Sequence, residues 1–237
     1  VYGDPERFFR QTYPTRQLRT FLREALVRLT GSDPSANAVL LLETPFGGGK
    51  THALIALYHA ARGEPAAATI VGDVPLPLPG TVGVAAVVGT DLDPTHGVRH
   101  HDVTTYTLWG ELAYQLGGRT AYLLVEESDH RTKTAPGRVT LEQLVGERPV
   151  LILLDELARY LVVAEAVPSP TGKGTLADQT IAFLHALLEF AAARRNVLVV
   201  LTMASSTDAF AEGTERLREA LSVIARSARL LTPAEPE

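Results

Sequence analysis

Short apolar runs alternate with longer amphipathic segments along most of this chain. Four runs rich in Val, Leu, Ile and Ala are typical of buried parallel strands: residues 37–43, 82–89, 150–155 and 196–202. Between them, apolar residues recur at helical spacing over residues 51–62, 107–116 and 176–193. Strands that alternate with helices predict right-handed crossovers, and therefore an α/β fold in which helices cover both faces of a mainly parallel sheet, a three-layer αβα sandwich.

Further elements are predicted around this alternation. A helix over 15–29 has apolar side chains at helical spacing and arginines on its other faces. Residues 214–228 predict a last helix, and 228–232 a short fifth strand. The prolines within 63–80 predict a surface connection, and the polar, charged segment 128–138 predicts a mobile loop. The complete prediction is a five-stranded sheet with helices before, between and after its strands.

Composition agrees with one large globular core. The chain has 237 residues, of which 46% are hydrophobic, and its length divides into an N-terminal helical segment, 1–36, and a core, 37–237. Cysteine is absent, which excludes disulfides and thiolate metal sites. No apolar run approaches the roughly 18 residues of a membrane helix, so we expect a cytoplasmic protein without a membrane partner. A net charge of −5 gives no support to a broadly basic nucleic-acid face, although an asymmetric patch could lie within a negative total.

The strongest chemical signal lies between the first strand and the helix that follows it, in the segment ETPFGGGKTH at residues 43–52. Glycines let successive backbone N–H groups point at phosphate oxygens, Lys50 places a positive charge on the β and γ phosphates, and Thr51 offers a hydroxyl to Mg²⁺. Thr44 stands where the strict pattern has its first glycine. A glycine-rich turn that merely joins two elements is the alternative, but the strand, loop and helix setting favours the binding of a nucleoside triphosphate. The predicted nucleotide-binding residues are Phe46, Gly47, Gly48, Gly49, Lys50, Thr51 and His52.

Two adjacent carboxylates end the strand at 150–155. Ligands of open α/β sheets bind at the carboxyl ends of the strands, so Asp155 and Thr51 are predicted to reach one Mg²⁺. Glu156 is then available to orient an attacking water and accept its proton. The alternative makes Asp155 a helix N-cap and Glu156 a first-turn acid that complements the helix dipole.

These residues resemble the AAA+ and related additional-strand ATPases, whose expected strand order is five, one, four, three, two. A closer resemblance is carried by Thr12-Tyr13 and by residues 46–52, 88–94, 107–113, 115–118 and 154–157. Together they are similar to large predicted ATPases that prokaryotic defence islands encode beside DNA methyltransferases, including the P-loop ATPases of BREX phage-exclusion systems. The resemblance covers nearly the whole chain.

The resemblance carries further implications for the site and the partners. It implies a γ-phosphate sensor at Thr202, with Ser205 and Ser206 close behind, and an N-terminal nucleotide-binding core without its helical lid and later domains. Partners would be other defence-system proteins such as a DNA methyltransferase, DNA through that complex, and further copies of the chain. Arg226 or Arg229 is a candidate arginine finger, and a solvated arginine at a helix end is the alternative.

The functional prediction is Mg²⁺-dependent ATP binding and hydrolysis by Lys50, Thr51, Asp155, Glu156 and Thr202, as the motor or switch of an anti-phage complex acting on DNA. An ATP-binding assembly module with little turnover is the first alternative. A P-loop small-molecule kinase is the second, although no site for a second substrate is evident.

Some other residues favour a structural reading. His96, His100 and His101 are predicted to belong to a polar loop, because adjacent histidines on an extended segment point apart. Trp109 is predicted to anchor the core. The aromatic residues Phe8, Phe9 and Tyr13 could flank adenine or pack the first helix equally well.

Overall fold

The computed structural model describes residues 3–33, 35–44, 49–170, 172, 174–204, 211–222 and 228–231. Its main sheet contains the strands β1 (Val39–Thr44), β2 (Gly83–Val88), β5 (Val150–Asp155), β6 (Val197–Ala204) and β7 (Ala228–Leu231). They lie in the order β2-β5-β6-β1-β7, and all neighbouring pairs are parallel. A small antiparallel hairpin pairs β3 (Val98–Arg99) with β4 (Thr104–Thr105). The prediction of an α/β fold with a mainly parallel sheet is confirmed.

Helices connect and cover these strands. Those in the described part of the chain are α1 (Pro5–Gln11), α2 (Arg16–Leu29), α3 (Lys50–Ala61), α4 (Ala68–Val71), α5 (Leu108–Tyr122), α6 (Arg138–Val145), α7 (Leu157–Glu165), α8 (Leu176–Ala193) and α9 (Ala211–Ser222). Helix α5 is interrupted at Gly117 and Gly118, whose backbone angles are not helical. Helix α2 confirms the predicted helix at 15–29, whereas α1 was not predicted.

Apolar residues form a separate core on each face of the sheet. Strand β5 is buried along its whole length, and successive side chains point to opposite faces. Leu151 and Leu153 pack into the core that is covered by α1 to α4, and Ile152 and Leu154 into the core covered by α5 to α8. A continuous apolar run is what a central strand needs when helices cover both of its faces.

Two predicted connections are more ordered than the sequence indicated. Within 63–80, the chain forms a short 3₁₀ helix (Pro65–Ala67) and α4, which buries Ile70 and Val71. Within 128–138, the predicted loop contains a π-helical turn (Ser128–Thr132).

The π-helical turn is held by a buried carboxylate. Asp129 is fully buried and accepts hydrogen bonds from the Thr107 amide and hydroxyl and from the Tyr122 hydroxyl. The loop prediction was wrong here because a polar residue was assumed to face solvent, whereas Asp129 binds donors at both ends of α5.

Helix α8 is long and apolar enough, by length and composition alone, to cross a membrane. The prediction that no apolar segment approaches this length was therefore wrong. Half of the helix is buried inside the fold, where Phe183, Leu184 and Leu187 contribute to the core that also contains Val199 of β6. Burial in a core accounts for its apolar composition without a membrane.

Candidate functional site

Three elements converge at the carboxyl edge of the sheet. Asp155 is the last residue of β5, Thr202 lies near the end of the adjacent strand β6, and Thr51 lies in the first turn of α3, which follows β1. Parallel strands bring these ends to one edge, where ligands of α/β folds bind. The structure thus brings together residues that the sequence separates by up to about 150 positions.

The Asp155 carboxylate accepts a hydrogen bond at each oxygen. Thr51 Oγ1 donates to Asp155 Oδ2 at 2.8 Å, and Thr202 Oγ1 donates to Asp155 Oδ1 at 2.6 Å. Asp155 is only 5% exposed, and the two hydrogen bonds fix the orientation of its carboxylate. Both predicted metal-site residues, Thr51 and Asp155, are therefore in direct contact.

Glu156 occupies an unusual backbone position directly after this carboxylate. Its φ of 51° and ψ of 32° lie in the left-handed region, which costs a residue other than glycine on the order of 1 kcal/mol. The Glu156 amide donates to Thr202 Oγ1 at 3.1 Å. Glu156 itself stands at the N-cap position of α7, where its side chain makes no capping hydrogen bond, and Asp155 binds Thr51 and Thr202. The alternative in which Asp155 is a helix N-cap is thus wrong.

Gly89 packs directly against this backbone. A Cβ atom at Gly89, just after β2, would lie 2.4 Å from the Glu156 carbonyl oxygen, which no side chain tolerates without a backbone shift. The Glu156 carboxylate lies 3.4 Å from Arg159, and both side chains are 37% exposed. Glu156 is therefore fixed in its backbone, whereas its carboxylate reaches solvent.

The start of α3 supplies an N-terminal site for an anion. Gly49 occupies the N-cap position with a φ of 76°, and no side chain of the described residues caps the helix. Uncapped N–H groups and the helix dipole favour negative charge at such a position, and Lys50 adds a cation there. Phe46, Gly47 and Gly48 lie outside the described residues.

Other predicted residues are only partly described. Ser205, Ser206 and Arg226 lie outside the described part of the chain. Arg229 lies on β7, where its backbone is in register with Leu40 of β1.

The His52 ring points toward the N-terminal helix. Thr12 Oγ1 lies 3.0 Å from His52 Nε2, and the rings of Phe8 and His52 have centroids 4.6 Å apart. The Thr12 hydroxyl donates to the Phe8 carbonyl at 2.8 Å. Its oxygen therefore accepts a hydrogen bond from His52, whose Nε2 carries the ring N–H. Burial lowers the pKa of His52. His52 therefore fixes α1 against the first turn of α3, a role that its place in the glycine-rich motif did not reveal.

An ion pair beside the loop was also missed by sequence reasoning. Arg218 on α9 lies 3.0 Å from the carboxylate of Glu43, which comes just before the last residue of β1. The two residues are 175 positions apart, so no local pattern could have revealed the contact. It ties α9 to the strand that leads into the segment 45–48.

Several of the remaining aromatic residues and histidines have structural roles. Trp109, Phe8 and Phe9 are buried, so the core position predicted for Trp109 is confirmed, whereas Tyr13 is 73% exposed. His100 pairs with the buried carboxylate of Glu111 at 2.9 Å. Among the described residues, no group of three or more His, Asp and Glu side chains forms a metal cluster.

Comparison with known proteins identifies a family. The family model described as the DUF499 N-terminal domain matches residues 1–70 and 84–229, which include Thr51, Asp155, Glu156 and Thr202. A search of curated proteins gives no match. Because the family model covers most of the sequence, the chain belongs to the DUF499 N-terminal domain family.

Proposed function

We propose that this chain binds ATP with Mg²⁺ at the carboxyl edge of its sheet and hydrolyses it. The observation that carries the proposal is the contact of Thr51 and Thr202 with the two oxygens of Asp155. It joins the helix after the glycine-rich segment to the acidic strand and the polar-tipped strand, and this proximity supports a shared site for the nucleotide and Mg²⁺.

The residues present fit a magnesium ion held together with the nucleotide. Mg²⁺ takes hard oxygen ligands and is usually bound by one or two carboxylates plus substrate phosphates and water. Asp155 supplies a buried carboxylate and Thr51 an exposed hydroxyl, and the two groups are already in contact. When bound there, the ion would neutralise charge on the β and γ phosphates.

Other residues of the chain bind the phosphates and activate water. Lys50 and the backbone amides at the start of α3 bind the phosphates. Glu156 orients a water molecule toward the γ phosphorus and accepts its proton at a carboxylate oxygen as the water oxygen bonds to that phosphorus. The bond from the phosphorus to the bridging oxygen breaks, and ADP leaves with that oxygen. Thr202 holds the Asp155 carboxylate and the Glu156 amide in one arrangement.

The topology supports assignment to the three-layer P-loop class. Counted one to five along the chain and read from β7, the strands of the main sheet run five, one, four, three, two. This is the order expected for AAA+ and related additional-strand ATPases. A helical layer on each face of the sheet adds further support.

The biological proposal is a cytoplasmic motor or switch within a multi-protein anti-phage system of the BREX type acting on DNA. Support comes from the DUF499 family, which is associated with defence islands. Its partners would be other proteins of the system, such as a DNA methyltransferase, DNA through that complex, and further copies of the chain.

One observation favours a second candidate, an ATP-binding assembly module with little turnover. The Glu156 carboxylate faces Arg159 at 3.4 Å. A carboxylate that keeps this partner when ATP is bound would not be free to accept a proton from water, so the nucleotide would act by binding alone.

Calorimetric titration and phosphate release test these proposals together. We expect a slowly hydrolysed ATP analogue with Mg²⁺ to bind and Lys50→Ala to abolish that binding, and a guanine analogue gives the comparison for the base. Glu156→Gln should retain binding and lower turnover by roughly 10²–10⁴-fold. The matched control is Glu147→Gln, the same change at a side chain that is 96% exposed, and it should retain full activity.

The outcomes separate the candidates. Failure of every form to bind ATP contradicts the proposed site. Binding without phosphate release by the unsubstituted chain favours the assembly module. Equal turnover by the Glu156→Gln and Glu147→Gln variants removes Glu156 from the mechanism while leaving ATPase activity intact.

A further inference from the structure

A second concave surface lies away from the candidate ATP site. It is an open groove of about 480 Å³ between the first half of α2 and the segment around α4. Arg16, Arg19 and Arg23 line its α2 side, and the mostly buried side chains of Ile70 and Val71 line its α4 side. We call this surface the arginine groove.

The three arginines of the arginine groove are exposed and lie on one stripe of α2. Their spacing of three and four residues places them on the same helix face, with Arg16 and Arg23 about 10 Å apart along the axis. Within the described part of the chain, none of the three forms an ion pair within 4.0 Å. Asp73 is the single carboxylate in the lining.

This arrangement opposes helix stability. Arg16 and Arg19 lie in the first turn of α2, where the helix dipole disfavours positive charge. Like charges at these spacings also repel each other by a few tenths of a kcal/mol per pair. Cations that weaken their own helix and have no protein partner are better explained by a ligand than by the fold.

We propose that the arginine groove binds the phosphate backbone of nucleic acid. Guanidinium groups match phosphate oxygens in bidentate geometry, and three arginines against one carboxylate, Asp73, give the groove a net positive charge that attracts phosphates. One DNA strand carries a phosphate about every 3.4 Å along the duplex axis, so the 10 Å stripe spans about three phosphates. The whole chain carries a net charge of −5, so such binding has to be local.

This proposal goes beyond the proposed ATPase and shares none of its residues. A contact to phosphates alone carries no base information, so the groove would hold DNA or RNA of any sequence and set its position on the domain. Nucleotide in the Asp155 site is not required for binding.

Fluorescence anisotropy with a labelled duplex of random sequence, without ATP, tests the proposal. We expect the chain to bind the duplex at low salt, and Arg16→Gln/Arg19→Gln/Arg23→Gln to weaken that binding at least tenfold. The slope of log K against log salt should fall by about two to three, since each lost phosphate contact contributes about 0.9.

A matched control keeps the total charge equal. Arg131→Gln/Arg138→Gln/Arg195→Gln removes three exposed arginines near α6 and α8, on the other face of the sheet, and should bind like the unsubstituted chain. Thermal unfolding should show that the groove variant is at least as stable, because its substitutions relieve repulsion within α2.

Three results would overturn the proposal. The first is that the chain does not bind the duplex at low salt. The second is that the groove and control variants lose the same amount of affinity for the duplex. The third is that a polyglutamate peptide with the same charge as the duplex competes as well as unlabelled DNA does. The last result would assign the groove to an acidic protein segment. None of these results depends on whether the chain hydrolyses ATP.

Discussion

The hydroxyl of Thr202 donates to Asp155 Oδ1 at 2.6 Å and accepts from the Glu156 amide at 3.1 Å. One side chain on β6 therefore fixes both acidic residues at the end of β5. Thr202 is 4% exposed, so water cannot easily replace either hydrogen bond. The geometry of the acidic pair depends on this threonine as much as on its own strand.

Thr202→Val should destabilise the chain by about 2–3 kcal/mol. Valine keeps the shape of threonine but leaves a buried carboxylate oxygen and a backbone amide without their partner. Both groups then stay out of water without a compensating hydrogen bond, which destabilises the fold. Chemical denaturation monitored by circular dichroism measures the change in the free energy of unfolding.

Thr69→Val is the matched control for this substitution. The Thr69 hydroxyl donates to the Ala66 carbonyl at an exposed position, so its loss should change stability by less than about 0.5 kcal/mol. Equal stability of the two variants would show that the Thr202 contacts contribute nothing to the fold.

The sequence was sufficient to predict that Thr51 and Asp155 lie close together. A glycine-rich segment after one strand and a carboxylate at the end of another must meet if both strands are parallel and close in the sheet. The burial pattern that identifies such strands is local, and β5 displays it along all of its residues.

Other parts of the site depend on contacts that no local pattern encodes. The left-handed backbone of Glu156 follows from packing against Gly89 and from the Thr202 hydroxyl, both remote in sequence. The orientation of the His52 ring is set by Thr12, forty residues earlier. Residue types suggested which groups were chemically competent, whereas tertiary packing decided which way they point.

Buried Arg28 joins three parts of the fold through backbone carbonyls. Its guanidinium donates to the carbonyls of Ala36 at 2.8 Å and of Ala191 and Val197 at 3.1 Å. It thereby binds the end of α2 to the end of α8 and the start of β6.

Arg28→Met should lower the free energy of unfolding by about 3 kcal/mol or more. Methionine fills much of the volume but leaves several buried carbonyls without donors, each at a cost of about 1–3 kcal/mol before relaxation. For a chain of this size, thermal unfolding should shift downward by roughly 6–12 °C. Arg10→Met, at a side chain that is 79% exposed, should shift it very little. A shift no larger than that of the Arg10 variant would contradict the role of Arg28.

The pH dependence of stability should include a contribution from His52. Burial lowers the pKa of this ring below its ordinary value of 6.5, so the unfolded chain takes up a proton before the folded chain does. Neutral His52 makes its full contribution to the free energy of unfolding above pH 6.5. This contribution is lost as the pH falls from 6.5 toward the lower pKa of the ring in the folded chain. The slope for this one proton cannot exceed about 1.4 kcal/mol per pH unit.

His52→Gln should remove this contribution, because an amide can still donate to Thr12 but does not take up a proton in this range. Denaturant unfolding of both forms between pH 8 and pH 5 gives the comparison. The free energy of unfolding of the unsubstituted chain should fall more steeply below pH 6.5 than that of the variant, and the two curves should run parallel above it. Parallel curves over the whole range would show that the ring titrates equally in the folded and unfolded chain, so that its burial against α1 has no effect on protonation.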